Sequence, residues 1–490
     1  MSRSSLWISL LVLALPFTGV AFLIYETVGF DWSELNDAAW RASLAVTLYV
    51  TLVATAISLV IGTWLARSVY RRRSTWLASL LRWPMFVPHV AAAYLFYVLF
   101  SGGFPFYGVV EANERHHLVV ILTYVWKEVP FVFLMVIGTY AQLNRGYVDM
   151  AKTLQLTPFE QFKVAEWPFL VKPLLDSFWV LVAFISFAYE VPALLGVTFP
   201  ELLGVLAYER LTTGLFLNAF ESYAVALVWT LFIFIGVIGS YTLTAKRRRR
   251  IRAGGETMSR FLTAGLILFP FVGLFLAFPA TFNWDEAIGN TVVYVLVLGF
   301  VNVWLGIGTA WWLMFTESRW KTAVEWFTFL PLFIPVLATM FGMYIALAQL
   351  GLVGTHIGVG LVLLVTTLPY SIRLAYNAMY VIGRPLLEQT LTLAPWSRFG
   401  LVLFPLLKET IRTIVLFSTV IVLSQFVLVQ LMGAGLIPTV TTRLYQAYAG
   451  NDFALALQNT WVLILVPVLL YLGIGGLFGI WIRLVKGRLQ

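Results

Sequence analysis

The sequence predicts an all-α integral membrane protein of about twelve transmembrane helices, arranged as two parallel six-helix repeats. Three observations carry that prediction. Of the 490 residues, 60% are hydrophobic and only 11% charged, a balance outside the range of soluble domains. Apolar runs of about 20 residues, long enough to cross a hydrocarbon core of about 30 Å, follow one another with no room for a large soluble domain. The chain also repeats itself at a nearly constant spacing, the mark of an internal duplication.

The spans fall at 6–25, 43–66, 77–100, 118–141, 174–196 and 223–245, then at 261–280, 288–314, 323–349, 357–380, 411–432 and 460–483. The first run follows Arg3 but lacks a small-residue cleavage site, so it reads as a retained span rather than a signal peptide. Acids gather after odd-numbered spans: Glu26, Asp31, Glu34 and Asp37, then Glu111 and Glu114, then Glu201, Glu209 and Glu221. Basic clusters follow even-numbered ones: Arg67 and Arg71 to Arg73, Lys246 to Arg250, then Arg483, Lys486 and Arg488. Basic residues mark cytoplasmic loop ends, which puts both termini in the cytoplasm and gives the halves the same orientation. The net charge of +9 therefore reflects membrane topology and not a nucleic-acid partner. There is no cysteine, so disulfides and thiolate chemistry are excluded.

The clearest repeat lies in two polar inserts. Thr153, Leu154, Leu156, Pro158, Phe159, Phe162 and Pro168 recur as Thr390, Leu391, Leu393, Pro395, Trp396, Phe399 and Pro405, each displaced by 237 positions. Thr47 and Gly62 match Thr291 and Gly306, the prolines of 84–88 match those of 331–335, and Pro130 matches Pro369. The organisation is a first repeat over 1–245 with its insert at 145–173, a basic linker at 246–260, and a second repeat over 261–490 with its insert at 384–409. Thr157, Pro158 and Glu160 fit an N-cap, a first helical position and an N3 carboxylate, so a helix restarts there. The inserts are too apolar for a solvated linker and too charged for a span, and so call for a protein partner on one face. Paired prolines inside spans free backbone carbonyls, which neighbouring helices or a water-lined cavity must satisfy.

No G-x-x-x-x-G-K-[ST] occurs, so energy must come from another polypeptide, and neither HExxH nor GxSxG is present. We expect no enzyme active site and no metal site. His116 and His117 are adjacent, where side chains diverge, while His89 and His356 stand alone. Lys127 and Glu128 fall within a span, where a charge costs on the order of 2.5–3.5 kcal/mol and must face protein or water. They either neutralise charges on another span or line a pathway, and Arg373 poses the same alternative. Glu190, just before Pro192, is a gate candidate or part of a capped turn.

The first insert resembles the EAA loop of membrane subunits of bacterial binding-protein-dependent ABC importers, E-A-A-x-x-L-G-x-[ST]-P-[FW]-x-x-F-x5-[LW]-P. Asp149, Ala151, Leu154, Thr157, Pro158, Phe159, Phe162 and Pro168 occupy matching positions, and the second insert matches through Leu391, Pro395, Trp396, Phe399 and Pro405. The family glycine is replaced by Gln155 and Thr392, and the leading acid of the second copy by Leu386, with Glu388 two positions late. The single-chain duplication is similar to the fused permeases of ferric-iron and thiamine importers. The resemblance implies a type I importer permease fold in the bacterial inner membrane. It also implies coupling helices docked on two copies of an ATPase subunit, which carries ATP and Mg, and an extracytoplasmic binding protein that delivers a small solute. The alternative class is a secondary transporter with six-plus-six repeats.

Overall fold

The long apolar runs fold as helices in the computed structural model, which describes residues 2–72, 80–81, 83–101, 108, 110–114, 116–142, 150, 153–197, 199–213, 220–246, 268–271, 282–394 and 397–489. The principal helices are α1 (Ser2–Glu26), α2 (Ala38–Arg72), α3 (His89–Phe100), α4 (Leu118–Gln142), α5 (Trp167–Ser186), α6 (Phe220–Lys246), α7 (Glu286–Phe315), α8 (Val336–Gln349), α9 (His356–Ile382), α10 (Lys408–Ser424) and α11 (Phe453–Leu489). Among the described residues eight helices are long and apolar enough to cross a membrane, or ten if each of two bent pairs counts as one span. The expected span 261–280 and the linker 246–260 lie largely outside the described residues. The expected span 77–100 is not one continuous helix: a 3-10 turn, Trp83–Phe86, precedes the twelve-residue α3, and Pro88, which has no N–H to donate, stands between them.

Two further expected spans are broken rather than continuous. Lys321–Phe333 meets α8 at 108°, and α10 meets Phe426–Met432 at 66°. The first break falls on Pro331 and Pro335. Pro335 has no N–H to donate to the carbonyl four residues earlier, and Ile334 donates to the Pro331 carbonyl instead, at 3.3 Å. The expected 174–196 span likewise starts earlier: helix runs from Phe159 through to Ser186, and Glu190–Leu195 forms a separate short helix.

The chain forms two compact units that do not coincide with the halves of the sequence. One comprises Met1–Val28, Phe86–Ala91 and Phe278–Gln490; the other comprises Gly29–Met85 and Ala92–Ala277. The first unit thus takes α1 from the opposite half. There α1 packs on α7, α8 and α9, Ser9 and Thr309 share a 2.8 Å hydrogen bond, and Phe17 stacks on Phe327 at 4.7 Å. Close approach comes from glycine: a Cβ on Gly342 would stand 2.6 Å from the Gly19 Cα, the small-residue contact by which membrane helices gain packing. In the second unit α2, α4 and α5 pack mutually, and Phe269, from the opposite half, lies 6.3 Å from the rings of both Phe96 and Phe100.

Duplicated residues make equivalent contacts within each unit. The Thr47 hydroxyl accepts from the Leu203 N–H at 2.8 Å, and the Thr291 hydroxyl accepts from the Val440 N–H at 2.9 Å. Each satisfies a free amide at the start of a short helix, Leu203–Thr213 or Val440–Ala449. A Cβ on Gly62 would meet Val132 at 2.7 Å, and one on Gly306 would meet Ser371 at 3.0 Å. The threonines and glycines that repeat in the sequence are therefore contact points.

Candidate functional site: two matched inserts

The first insert turns at Gln155, whose φ of 53° is left-handed. A side chain costs roughly 1–2 kcal/mol in that region, which glycine avoids. A capping box follows. The Thr157 N–H donates to Glu160 Oε2 at 2.9 Å, and the Glu160 N–H donates to the Thr157 hydroxyl at 3.3 Å. Gln161 Nε2 closes the turn on the Leu156 carbonyl at 2.8 Å. One π-helical turn, Phe162–Glu166, then leads into α5. Leu154 is left 63% exposed, whereas Phe162 packs inward, 4.9 Å beneath the Arg67 guanidinium and 5.9 Å from Trp167. Phe159 is partly buried and Pro168 exposed.

Glu166 fixes this insert to the spans. Its carboxylate is fully buried and accepts from Arg67 Nε at 2.9 Å, Arg71 Nη2 at 3.2 Å and the Tyr140 hydroxyl at 2.7 Å. A carboxylate taken out of water needs such partners for each oxygen.

The second insert reaches a similar shape by other means. Gly383, with φ of 92°, ends α9, and Arg384–Gln389 and Thr390–Thr392 form an α-helical and a 3-10 turn. Thr392, at the other glycine position, sits in that 3-10 turn and not in the left-handed region. No capping box is available, because Ala394 stands where Thr157 does. Instead Arg398 donates to the carbonyls of Thr390, Leu391 and Leu393 at 2.9, 3.1 and 3.0 Å. A π-helical turn follows, Arg398–Leu403, in the register of the first. Leu391 is 46% exposed, Pro405 is partly buried, and Glu388 is held by Arg384 Nε at 2.7 Å. Asp149, Ala151, Pro395 and Trp396 lie outside the described residues, as do the side chains of Pro158 and Phe399.

The chain is 24% identical over 519 residues to the inner membrane ABC transporter permease protein YnjC of Escherichia coli, spanning 99% of this chain and 98% of that one. It is 28% identical over 190 residues to the molybdenum transport system permease protein ModB of Azotobacter vinelandii, covering 35% of this chain and 80% of ModB. No family model matches. These similarities support an ABC transporter permease subunit. With the apolar helices, they also support a multi-pass inner-membrane transport protein rather than an enzyme.

The intramembrane charges are placed individually. Lys127 is buried and donates from Nζ to the Pro84 carbonyl at 3.1 Å. That carbonyl has no helical donor, because the residue four positions on is Pro88. Lys127 thus answers a proline-freed acceptor. Glu128, beside it, is buried too. Arg373 sits 3.9 Å from Glu325 and 4.5 Å over the Phe329 ring. Glu190 opens the short Glu190–Leu195 helix. Lys127, Glu128 and Glu190 belong to the second unit and Arg373 to the first. His117 is buried, and burial holds its pKa below the ordinary imidazole value against the opposing influence of the Pro200 carbonyl. Among the described residues no three His, Asp or Glu side chains gather as a metal site requires.

Sequence reasoning singled out Arg67 and Arg71 only as topology markers and missed Tyr140, Glu166 and Arg398. The available signal was an acid, Glu166, one residue ahead of the Trp-Pro that starts α5. At the N-terminal end of α2, Asp37, Trp40, Arg210 and Glu221 form a second polar group: Arg210 bridges Asp37 at 2.8 Å and Glu221, and Trp40 Nε1 donates to Glu221 at 2.9 Å.

Proposed function

We propose that this chain is the transmembrane permease subunit of an ATP-driven importer, two fused permease halves whose inserts at 145–173 and 384–409 are the cytoplasmic docking points for two copies of an ATPase. The observation that carries this reading is the recurrence of the insert architecture. A tight turn, an exposed leucine at Leu154 or Leu391, a π-helical turn and a proline-started helix recur in one register. A capped rigid segment joined to spans can pass a partner's rigid-body motion into the membrane. The fused arrangement is supported by the alignment to ModB, four-fifths of which is matched by about a third of this chain.

In this reading both termini are cytoplasmic, and an extracytoplasmic binding protein delivers the solute. ATP and Mg act on the ATPase, and the permease alternates between inward- and outward-facing states. The two ligands shift that equilibrium by binding the states unequally. The site residues are Asp149, Ala151, Leu154, Gln155, Thr157, Pro158, Phe159, Phe162 and Pro168, with Glu388, Leu391, Thr392, Pro395, Trp396, Phe399 and Pro405. Lys127, Glu128, Glu190 and Arg373 remain pathway or gate candidates. Thiamine-like compounds, ferric iron, polyamines and the molybdenum species named for ModB are the solute classes this reading admits, since selection belongs to the separate binding protein.

The test is a photo-crosslinking amino acid at position 154 or 391 in cells. The reading predicts that both positions capture the same Walker-loop ATPase. Labelling by lipid alone at both positions contradicts it.

A further inference from the structure

The polar set that fixes the first insert has an apolar counterpart at each equivalent position. Arg67 and Arg71 lie on α2, where the offset to the second half is 244, and their counterparts are Trp311 and Phe315. Tyr140 lies on α4 at an offset of 239, and its counterpart is Met379; Glu166, at 237, corresponds to Leu403. Met379 and Leu403 are buried in one cluster with Ile307, Met314 and Leu407, against which Trp311 and Phe315 pack. Four positions that make an ion-pair and hydrogen-bond network in one unit thus make an apolar cluster in the other, with no charge at the four positions themselves; the Arg398 and Arg384 guanidiniums lie over its Trp311 and Phe315 rings at 5.7 and 6.0 Å.

We infer that the two inserts are joined to their spans by chemically different joints, one around a buried carboxylate and one apolar at the same four positions, and that Glu166 is the positioning residue of the first. The inference rests on the permease reading only for its consequence, that the two ATPase contacts are mechanically unequal; the joints themselves stand on geometry. The carboxylate binds three side chains from two helices at fixed angles, so its joint is directional. The other joint is held by apolar burial, which is non-directional, and by guanidiniums lying on ring faces, and it has no buried carboxylate to fix its angles. The network also sits where the insert passes into α5, so any displacement of the first insert must either move α2 and α4 with it or break charged hydrogen bonds.

A chain without cysteine allows a direct test. Single cysteines at the exposed positions 154 and 391 are spin-labelled in the full chain, reconstituted in lipid nanodiscs, and label mobility is compared with and without Glu166→Gln. We expect mobility at 154 to rise at least twofold and that at 391 to stay unchanged. Replacing the whole polar set by its counterparts, Arg67→Trp, Arg71→Phe, Tyr140→Met and Glu166→Leu, should bring the 154 label to the mobility of the 391 label, below that of Glu166→Gln, which a mere loss of fold would not do; a 154 label left as mobile as in Glu166→Gln overturns the inference. Equal loosening at both positions, or none at 154, overturns the inference. Where Glu166→Gln does not fold, Tyr140→Phe carries the same comparison: a rise at 154 alone supports the inference, and no change overturns it. None of these readouts needs an ATPase, so failure of the joint and failure of the permease reading are told apart by whether crosslinks at 154 and 391 find that partner.

Discussion

At the scale of single residues, the two glycine positions of the inserts differ in backbone and should respond oppositely. Gln155 is left-handed, so Gln155→Gly relieves a cost of roughly 1 kcal/mol. Thr392, in a 3-10 turn with its hydroxyl on the Gln389 carbonyl at 3.0 Å, should lose about 1 kcal/mol when changed to glycine. Thermal unfolding of the purified chain measures both. Charge at the far end of α2 gives a pH prediction. The hydrogen bond from Arg210 holds the Asp37 carboxyl below its ordinary range. A carboxylate depressed in this way contributes its stability above its unfolded pKa of about 4 and loses it as pH falls through the lower folded value. Between about pH 6 and pH 3 the unfolding midpoint of the native chain should therefore fall further than that of Arg210→Gln. Equal slopes would remove Asp37 from the account. Glu201 works in the opposite sense. Burial and then Glu209 raise its pKa, so its protonated form is favoured in the fold and Glu201→Gln should stabilise the chain at neutral pH.

At the scale of elements, the breaks and caps trace to identifiable atoms. Thr157→Ala removes one side of the capping box and should cost about 1 kcal/mol, seen as faster hydrogen exchange at the start of the 158–161 turn. The capping box was legible in the sequence because it is local, set by residues three apart. The 108° break was not, because paired prolines fix only that a carbonyl is freed; whether the helix bends or breaks depends on what satisfies it. In the first unit Pro331 is met by a neighbouring backbone amide, and in the second the Pro84 carbonyl is met by Lys127. The Glu166 network was hidden for a similar reason, since its partners stand 99, 95 and 26 residues away and Arg67 already had a sufficient reading as a loop-end charge.

At the scale of the molecule, the sequence reveals a duplication but not which spans pack together. The register between repeats follows from matched residues, and Thr47 with Thr291 and Gly62 with Gly306 make equivalent contacts in their own units. The placing of α1 with 278–490 depends on the Gly19 and Gly342 crossing, and no repeat marks it, because two glycines gain meaning only when they meet. The prediction here uses the absence of cysteine. Ser9→Cys with Thr309→Cys should crosslink in the native chain, whose hydroxyls are 2.8 Å apart. It should fail to do so once Gly342→Val places side-chain atoms where the Gly19 backbone lies.

The central claim, that two matched inserts bind an energy-supplying partner, is tested most directly by purifying the tagged chain from its native membrane in mild detergent, alongside a variant carrying Leu154→Asp and Leu391→Asp. Both leucines are exposed, so the variant should fold as the native chain does. The account predicts that a Walker-loop ATPase accompanies the native chain in a ratio of two to one, as two copies require, and is lost from the variant. An ATPase retained equally by both would move the docking surface away from the inserts, and a chain that transports its solute with no ATPase attached would contradict the account.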